Sequence, residues 1–205
     1  MTSSPTRICA IAGGSGAGKT TLARALLARL GDLGTHHTID WYYRDLSAMS
    51  PEERAAVNFD HPASLEVDLY VDHLRRLVGG HDIEAPVYDF ASHTRLAETQ
   101  RVDARPIIVT EGIHLLGLEA VRELCHLRVF IDVAAETRLD RRVARDVTER
   151  GRTEQSVRAQ WATTVAPMHD EYVQPSVRFA DRVVTVDEDL TEVADELAER
   201  LLSGS

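Results

Sequence analysis

The stretch Gly13-Gly14-Ser15-Gly16-Ala17-Gly18-Lys19-Thr20 fits the pattern G-x-x-x-x-G-K-[ST], and its reading decides the fold. Before it, Arg7-Ile8-Cys9-Ala10-Ile11-Ala12 reads as a short buried strand. After it, Thr20 to Leu30 reads as a helix with Leu22, Leu26, Leu27 and Leu30 on one apolar face and Gly31 as its stop. Strand, glycine loop and helix in that order make a phosphate cradle. The glycines let backbone N–H groups converge on phosphate oxygens, and the helix N-terminus adds its partial positive charge. Gly13, Gly14, Ser15, Gly16, Ala17, Gly18, Lys19, Thr20 and Thr21 are therefore the candidate phosphate contacts. Lys19 is the single lysine among 23 lysines and arginines, so an ammonium is specified here and nowhere else. A compact ammonium on a flexible stem reaches between the β- and γ-phosphates of a nucleotide, where a planar guanidinium is too wide. The Thr20 hydroxyl suits Mg²⁺.

At 205 residues the chain is expected to form a single domain over 1–205, large enough to bury about 70 % of its chain surface. A net charge of −10 argues against wholesale binding to nucleic acid or to an anionic membrane. Cys9 and Cys125 lie far apart in apolar contexts, without metal-ligand spacing, and read as buried free thiols of a reducing compartment. Met1 to Thr6 has no charged start and no long apolar run, so a cytoplasmic protein without a membrane span is expected. His36-His37, at a strand start, reads as structural and not as a metal site.

Further along, the pattern alternates. His37 to Asp40 is expected to be a second strand ending in Asp. Leu65 to Val78 is expected to be an amphipathic helix stopped by Gly79-Gly80. Ile83 to Phe90 and Thr94 to Val102 read as extended segments around a turn at Ala91 to His93. Pro106 to Glu111 and Leu127 to Val133 read as buried strands. Ala135 to Arg150 and Glu154 to Tyr172 read as helices, and Arg182 to Val186 and Leu190 to Leu202 as a last strand and helix. Strands alternating with helices predict an α/β fold, a parallel sheet covered on both faces, with a hairpin insert at about 83–102. Asp40, Glu111 and Asp132 fall at strand ends, where such sheets place their sites.

A guanine-specific site of the Asn-Lys-x-Asp kind is excluded, because no second lysine exists. Motor and transport ATPases usually end the second acidic strand in Asp or Asp-Glu, whereas here it ends Val109-Thr110-Glu111-Gly112, which leaves small-molecule kinases in front. An ordered series of segments then carries a resemblance. It comprises Asp40-Trp41-Tyr42-Tyr43-Arg44, Asn58-Phe59-Asp60-His61-Pro62, Pro86-Val87-Tyr88-Asp89-Phe90 with His93 and Arg95, and Glu111-Gly112-Ile113. It continues with Arg141-Arg142, Arg145-Asp146, Glu149-Arg150-Gly151-Arg152, Gln160 and Pro167-Met168. Together these resemble the uridine/cytidine kinases, P-loop nucleoside kinases of the phosphoribulokinase/uridine kinase superfamily.

The resemblance implies a P-loop kinase fold with a five-stranded parallel sheet of order 2-3-1-4-5, a β-hairpin over the nucleoside, a helical lid at about 142–160, and a homotetramer. It implies ATP- and Mg²⁺-dependent transfer of the γ-phosphate to the 5′-hydroxyl of uridine and cytidine. By resemblance Asp40 is the general base, Lys19 and Arg145 act on the migrating phosphate, and Arg150 also lies near phosphates. Thr20 and Glu111 would hold Mg²⁺, which usually keeps several waters and takes few protein ligands. Asp60 would accept hydrogen bonds from the ribose hydroxyls, and Tyr43, Phe59, Tyr88 and Phe90 would wall the nucleoside. His93 would read the edge of the pyrimidine, and Arg142, Arg152 and Gln160 would contact the nucleoside.

Plainer roles stay open for several of these residues: a turn cap for Asp40, a strand-end hydrogen bond for Glu111, an Asx-turn for Asp60 and an exposed turn position for His93. Arg138 and Arg141, on the stripe Arg138, Arg141, Arg142, Arg145, read as a solvated helix face. His114 departs from the family's aliphatic residue, and Glu111-Gly112-Ile113-His114 is reminiscent of phosphoribulokinases. Trp41 and Trp161 are bulkier than the residues usual beside Asp40 and Gln160. The rival readings are a phosphoribulokinase-like sugar-phosphate kinase and a non-catalytic nucleotide-sensing protein.

Overall fold

Side chains alternate across a strand, and both faces of this sheet are covered, so each central strand is apolar along its whole length. In β1 (Arg7–Gly13), Ile8, Ala10 and Ala12 face one core cluster while Cys9 and Ile11 face the other. The chain's structure, a computed structural model, describes residues 6–203. Most of the Met1 to Thr6 start read above lies outside the described residues.

β1 is followed by α1 (Lys19–Leu30), β2 (Gly34–Thr38), α2 (Pro51–Ala55) and α3 (Val67–Val78). The hairpin strands β3 (Ile83–Asp89) and β4 (Thr94–Val102) come next, then β5 (Ile107–Glu111), α4 (Glu119–Arg122) and β6 (Leu127–Asp132). α5 (Ala135–Arg150), α6 (Glu154–Gln160), α7 (Ala166–Met168), β7 (Arg182–Thr185) and α8 (Leu190–Ser203) complete the chain. The sheet runs β2-β5-β1-β6-β7, all parallel, and β3-β4 pair separately and antiparallel. With the hairpin strands set aside, this is the order 2-3-1-4-5. α1 and α8 cover one face through Leu22, Leu26, Leu197 and Leu201, and α3 covers the other through Tyr70, Val71, Leu74 and Leu77. Among the described residues no helix is long and apolar enough to cross a membrane.

Four expectations change. β2 ends at Thr38, and Asp40 lies on a 3₁₀ turn, Ile39–Tyr42, not on the strand. The helix expected over Glu154 to Tyr172 is wound as π-helix at Trp161–Val165 and again at His169–Val173, on either side of Pro167. Proline has no N–H and its ring crowds the carbonyl of the preceding turn, so the helix widens around it instead of running straight. Cys125 is half-buried, with its thiol donating to the Val121 carbonyl, while Cys9 is buried; both are free. Arg138 is buried, not solvated: its Nε donates to the Val133 carbonyl at 2.9 Å and its guanidinium lies 5.2 Å from the Trp161 ring.

Candidate active site

Parallel neighbours β2, β5 and β1 end side by side, which brings the turn bearing Asp40, the Glu111 carboxylate and the glycine loop to one edge of the sheet. The loop has no room for side chains. A Cβ on Gly14 would collide with the Arg138 guanidinium, and one on Gly16, which has φ +81°, would collide with the Arg138 carbonyl. Arg138 thus packs beneath the loop because the loop is glycine. Lys19 is buried and its Nζ donates to the Gly14 carbonyl at 3.1 Å. Burial lowers the Lys19 pKa, while Glu111 and Asp40 oppose that shift.

The Thr20 hydroxyl donates to Glu111 Oε1 at 3.3 Å. Thr38, which sequence reasoning missed, ties the edge together. Its Oγ1 donates to the Glu111 carbonyl at 3.0 Å and accepts the Asp40 N–H at 3.2 Å. Thr38 therefore caps the 3₁₀ turn, and the Asp40 carboxylate is not needed as a cap. Burial first, and the Glu111 charge second, raise the Asp40 pKa from 3.8 to about 6, against the pull of Lys19, Arg150 and Arg145. Hard oxygen donors from Thr20 and Glu111, beside a second, buried carboxylate, fit a small divalent cation. Among the described residues no group of three or more His, Cys, Asp or Glu could hold a metal unaided. Asp132 is exposed at the end of β6 and stands apart from this pair.

On the other side of Asp40 the predicted aromatic residues are gathered into a nest. The Tyr43 ring lies 5.9 Å from Phe59, 5.1 Å from Tyr88 and 6.1 Å from Phe90. The hairpin is fastened over them by Arg95, which donates to the Tyr43 carbonyl at 2.8 Å and pairs with Glu66 at 2.8 Å. At the hairpin tip the Asp89 carboxylate accepts from Ala91 N at 3.0 Å and from the Ser92 hydroxyl at 2.6 Å, holding His93 at φ 56°. His93 is half-buried and stacked on Phe59 at 4.4 Å and 16°. Burial, then the Arg152 charge, lower its pKa, so the imidazole is neutral at pH 7.

Asp60 is buried beside the nest. The Asx-turn here belongs to Asn58, whose Oδ1 accepts the Asp60 N–H at 3.1 Å. Thr164 donates to Asp60 Oδ2 at 2.8 Å. His114, the departure from the family pattern, is also buried. Its Nε2 lies 2.9 Å from the Asp60 carbonyl, and burial lowers its pKa to about 4. Because a carbonyl only accepts, His114 is the neutral Nε2–H tautomer.

The lid arginines converge on one carboxylate. Asp146 is fully buried, with Arg145 at 2.7 Å, Arg142 at 3.5 Å, Arg152 at 3.6 Å and Arg150 at 3.7 Å. Four guanidiniums around one carboxylate leave a surplus of positive charge suited to phosphates. Arg142 also donates to Ser15 Oγ at 2.8 Å, and the Arg150 guanidinium lies 4.6 Å from the Phe90 ring, joining lid to hairpin. Arg142 and Arg152 both donate to Gln160 Oε1. That orientation is forced, since a flipped amide would set its NH₂ against two cationic donors. Gln160 therefore presents only N–H donors to the site. Arg141 is exposed, with a single contact of 3.4 Å to the Ala17 carbonyl.

The chain is similar to known proteins. The profile of the phosphoribulokinase/uridine kinase family matches residues 8–191. A uridine kinase of Chloroflexus aggregans is 46 % identical over 175 residues, covering 85 % of this chain and 84 % of that protein. A uridine kinase of Brevibacillus brevis is 42 % identical over 175 residues, covering 85 % and 82 %. Among solved structures, one described as a possible uridine kinase from Bacillus stearothermophilus superposes with a TM-score of 0.63 at 18 % identity, over 90 % of this chain and 91 % of that one. Phosphoribulokinase from Rhodobacter spheroides gives 0.66 at 15 %, over 91 % and 73 %, so these two likenesses speak for the fold.

Proposed function

The chain belongs to the phosphoribulokinase/uridine kinase family, and from that membership we propose that it is an ATP-dependent uridine and cytidine 5′-kinase of pyrimidine salvage. The observation that carries the reading is the placing of Asp40 between the phosphate loop and an aromatic nest that holds Asp60 at its side. Aromatic walls suit a nucleobase, and a buried carboxylate suits a sugar diol.

In this reading the nucleoside lies among Tyr43, Phe59, Tyr88 and Phe90, with its hydroxyls toward Asp60 and Gln160 and its base edge toward His93. Asp40 orients the 5′-hydroxyl toward the γ-phosphorus and accepts its proton late in a loose transition state. Lys19 and the backbone of Gly13 to Thr21 cradle the phosphates, while Arg145 and Arg150 bring positive charge to the migrating group. Thr20 and Glu111 would hold Mg²⁺, which supplies charge neutralisation to the phosphate oxygens when bound. The homotetramer and the cytoplasmic setting implied by the resemblance belong to the same proposal, and light scattering of the purified protein tests the first.

ADP release with ATP and Mg²⁺ is measured against uridine, cytidine, deoxycytidine, ribulose 5-phosphate and no acceptor. Turnover with uridine and cytidine supports the proposal. Turnover with ribulose 5-phosphate alone refutes it in favour of a sugar-phosphate kinase, and silence throughout favours a nucleotide sensor. His114, the residue reminiscent of phosphoribulokinases, lies buried against the Asp60 carbonyl and offers a sugar phosphate nothing.

A further inference from the structure

Asp60 is held at three points by side chains from three separate parts of the chain. Asn58 takes its N–H, His114 donates to its carbonyl, and Thr164 donates to Oδ2 of its carboxylate. Thr164 sits on the first π-wound segment, Trp161–Val165. Its hydroxyl also lies 3.2 Å from the Gln160 carbonyl. A hydroxyl has one proton, and the shorter contact to a charged acceptor takes it. Asp60 Oδ1 receives no hydrogen bond among the described residues.

We propose that Thr164 and His114 are positioning residues for the sugar: they fix Asp60 so that Oδ2 is engaged by Thr164 and Oδ1 alone faces the ribose. This rests on the nucleoside kinase reading above. A carboxylate free to rotate offers two equivalent oxygens to a diol and tolerates the loss of either hydroxyl. A clamped carboxylate offers one oxygen in one place. Gln160, with Oε1 taken by two arginines, has only donors left to offer. A ribose hydroxyl that donates to Oδ1 and accepts from Gln160 satisfies both groups. A 2′-deoxyribose leaves buried polar groups unpaired, and sites built this way reject the lacking analogue strongly. Discrimination between ribose and deoxyribose thus depends on two side chains that act through a third. The sequence signal for one of them was present, since His114 stood out as a departure from the family pattern.

The test is the ratio of kcat/KM for uridine to that for 2′-deoxyuridine in the wild type, Thr164→Val, Thr164→Ser, His114→Leu, His114→Gln and Asp60→Asn, with melting temperature as a check on folding. Thr164→Val is isosteric and is expected to lower the ratio about 10-fold through a raised KM for uridine, with kcat within about twofold, as loss of a hydrogen bond to a charged group predicts. Thr164→Ser, which keeps the hydroxyl, is expected to restore the ratio. His114→Leu should act in the same direction, and His114→Gln, which keeps an N–H donor, should recover part of the effect. If Thr164→Val depresses both nucleosides equally while Asp60→Asn collapses the ratio, the clamp is overturned and the nucleoside site stands. If the wild type phosphorylates no nucleoside, the function reading fails and the clamp with it. Should His114→Leu not fold, Thr164→Val against Thr164→Ser decides alone.

Discussion

Asp40→Asn should make the metal-free protein both inert and more stable, and the second effect follows from the pKa. Burial and the Glu111 charge hold the folded Asp40 carboxyl at about 6, against 3.8 when unperturbed. Below pH 4 the carboxyl is protonated folded and unfolded, and no difference arises. As pH rises from about 4 to 6 the unfolded chain releases its proton first, so the folded state loses stability over that window and keeps the deficit above it. A rise of this size corresponds to about 3 kcal/mol, and partial access of water leaves about 2 kcal/mol. Asparagine mimics the neutral carboxyl and escapes the cost. For a chain of this length about 2 kcal/mol raises the melting temperature by about 6 °C. Melting in the presence of a chelator at pH 8 and at pH 4 checks this. A gain at pH 8 that vanishes at pH 4 is the expected outcome, together with near-total loss of ADP release and retained binding of ATP and nucleoside. An equal gain at both pH values, or none at either, would refute the placement of Asp40 in a buried setting beside the Glu111 charge. In the wild type the acid limb of kcat/KM should fall near pH 6, because the base must be ionised to take the proton.

Three further outcomes are expected. Lys19→Arg, of equal charge, should lose at least about 100-fold in kcat, because the buried Nζ contacts the Gly14 carbonyl where a guanidinium does not fit; full activity in the ADP-release assay would contradict this. His93→Tyr should lower the uridine-to-cytidine preference ratio by about fivefold, since a phenol on this turn differs in reach and tautomerism from a neutral imidazole; an unaltered ratio of kcat/KM would show that His93 does not read the base. Asp146→Asn removes the shared counter-charge of four arginines and should cost about 3 kcal/mol in urea unfolding, with a lowered kcat; an unmoved midpoint would mean the cluster does not depend on Asp146.

The strands and helices around the phosphate loop were legible because local pattern and tertiary role coincide there. Ile8 to Ala12 are apolar at every position because both faces are covered, and Leu22 and Leu26 recur at helical spacing. Asp40, Asp60 and the aromatic residues were legible through the order of their segments, not through any periodicity. What escaped shares one physical cause, polar groups buried by partners distant in the chain. On α5 the buried residues are Arg138, Arg142 and Asp146, while Val147 is exposed, which inverts the pattern an amphipathic helix presents. Nothing local shows that Arg138 bonds the Val133 carbonyl and packs on Trp161, or that glycines make room for it. Thr38 and Thr164 are unremarkable in sequence, and their hydrogen bonds span 73 and 104 positions. The π-winding that carries Thr164 had one local sign, Pro167, which reads equally well as a simple kink.

In the proposed ATP-dependent kinase, the contact of Arg150 with the Phe90 ring bears on economy of ATP. A kinase that assembled its cations without an acceptor in place would transfer phosphate to water. In this reading a cation that faces Asp40 would lean on an aromatic wall of the base slot, so that a nucleoside displacing Phe90 would displace Arg150 with it. The readiness to transfer would thereby be tied to the presence of something to receive. A bare sugar, which leaves that wall untouched, would give the lid no signal to commit.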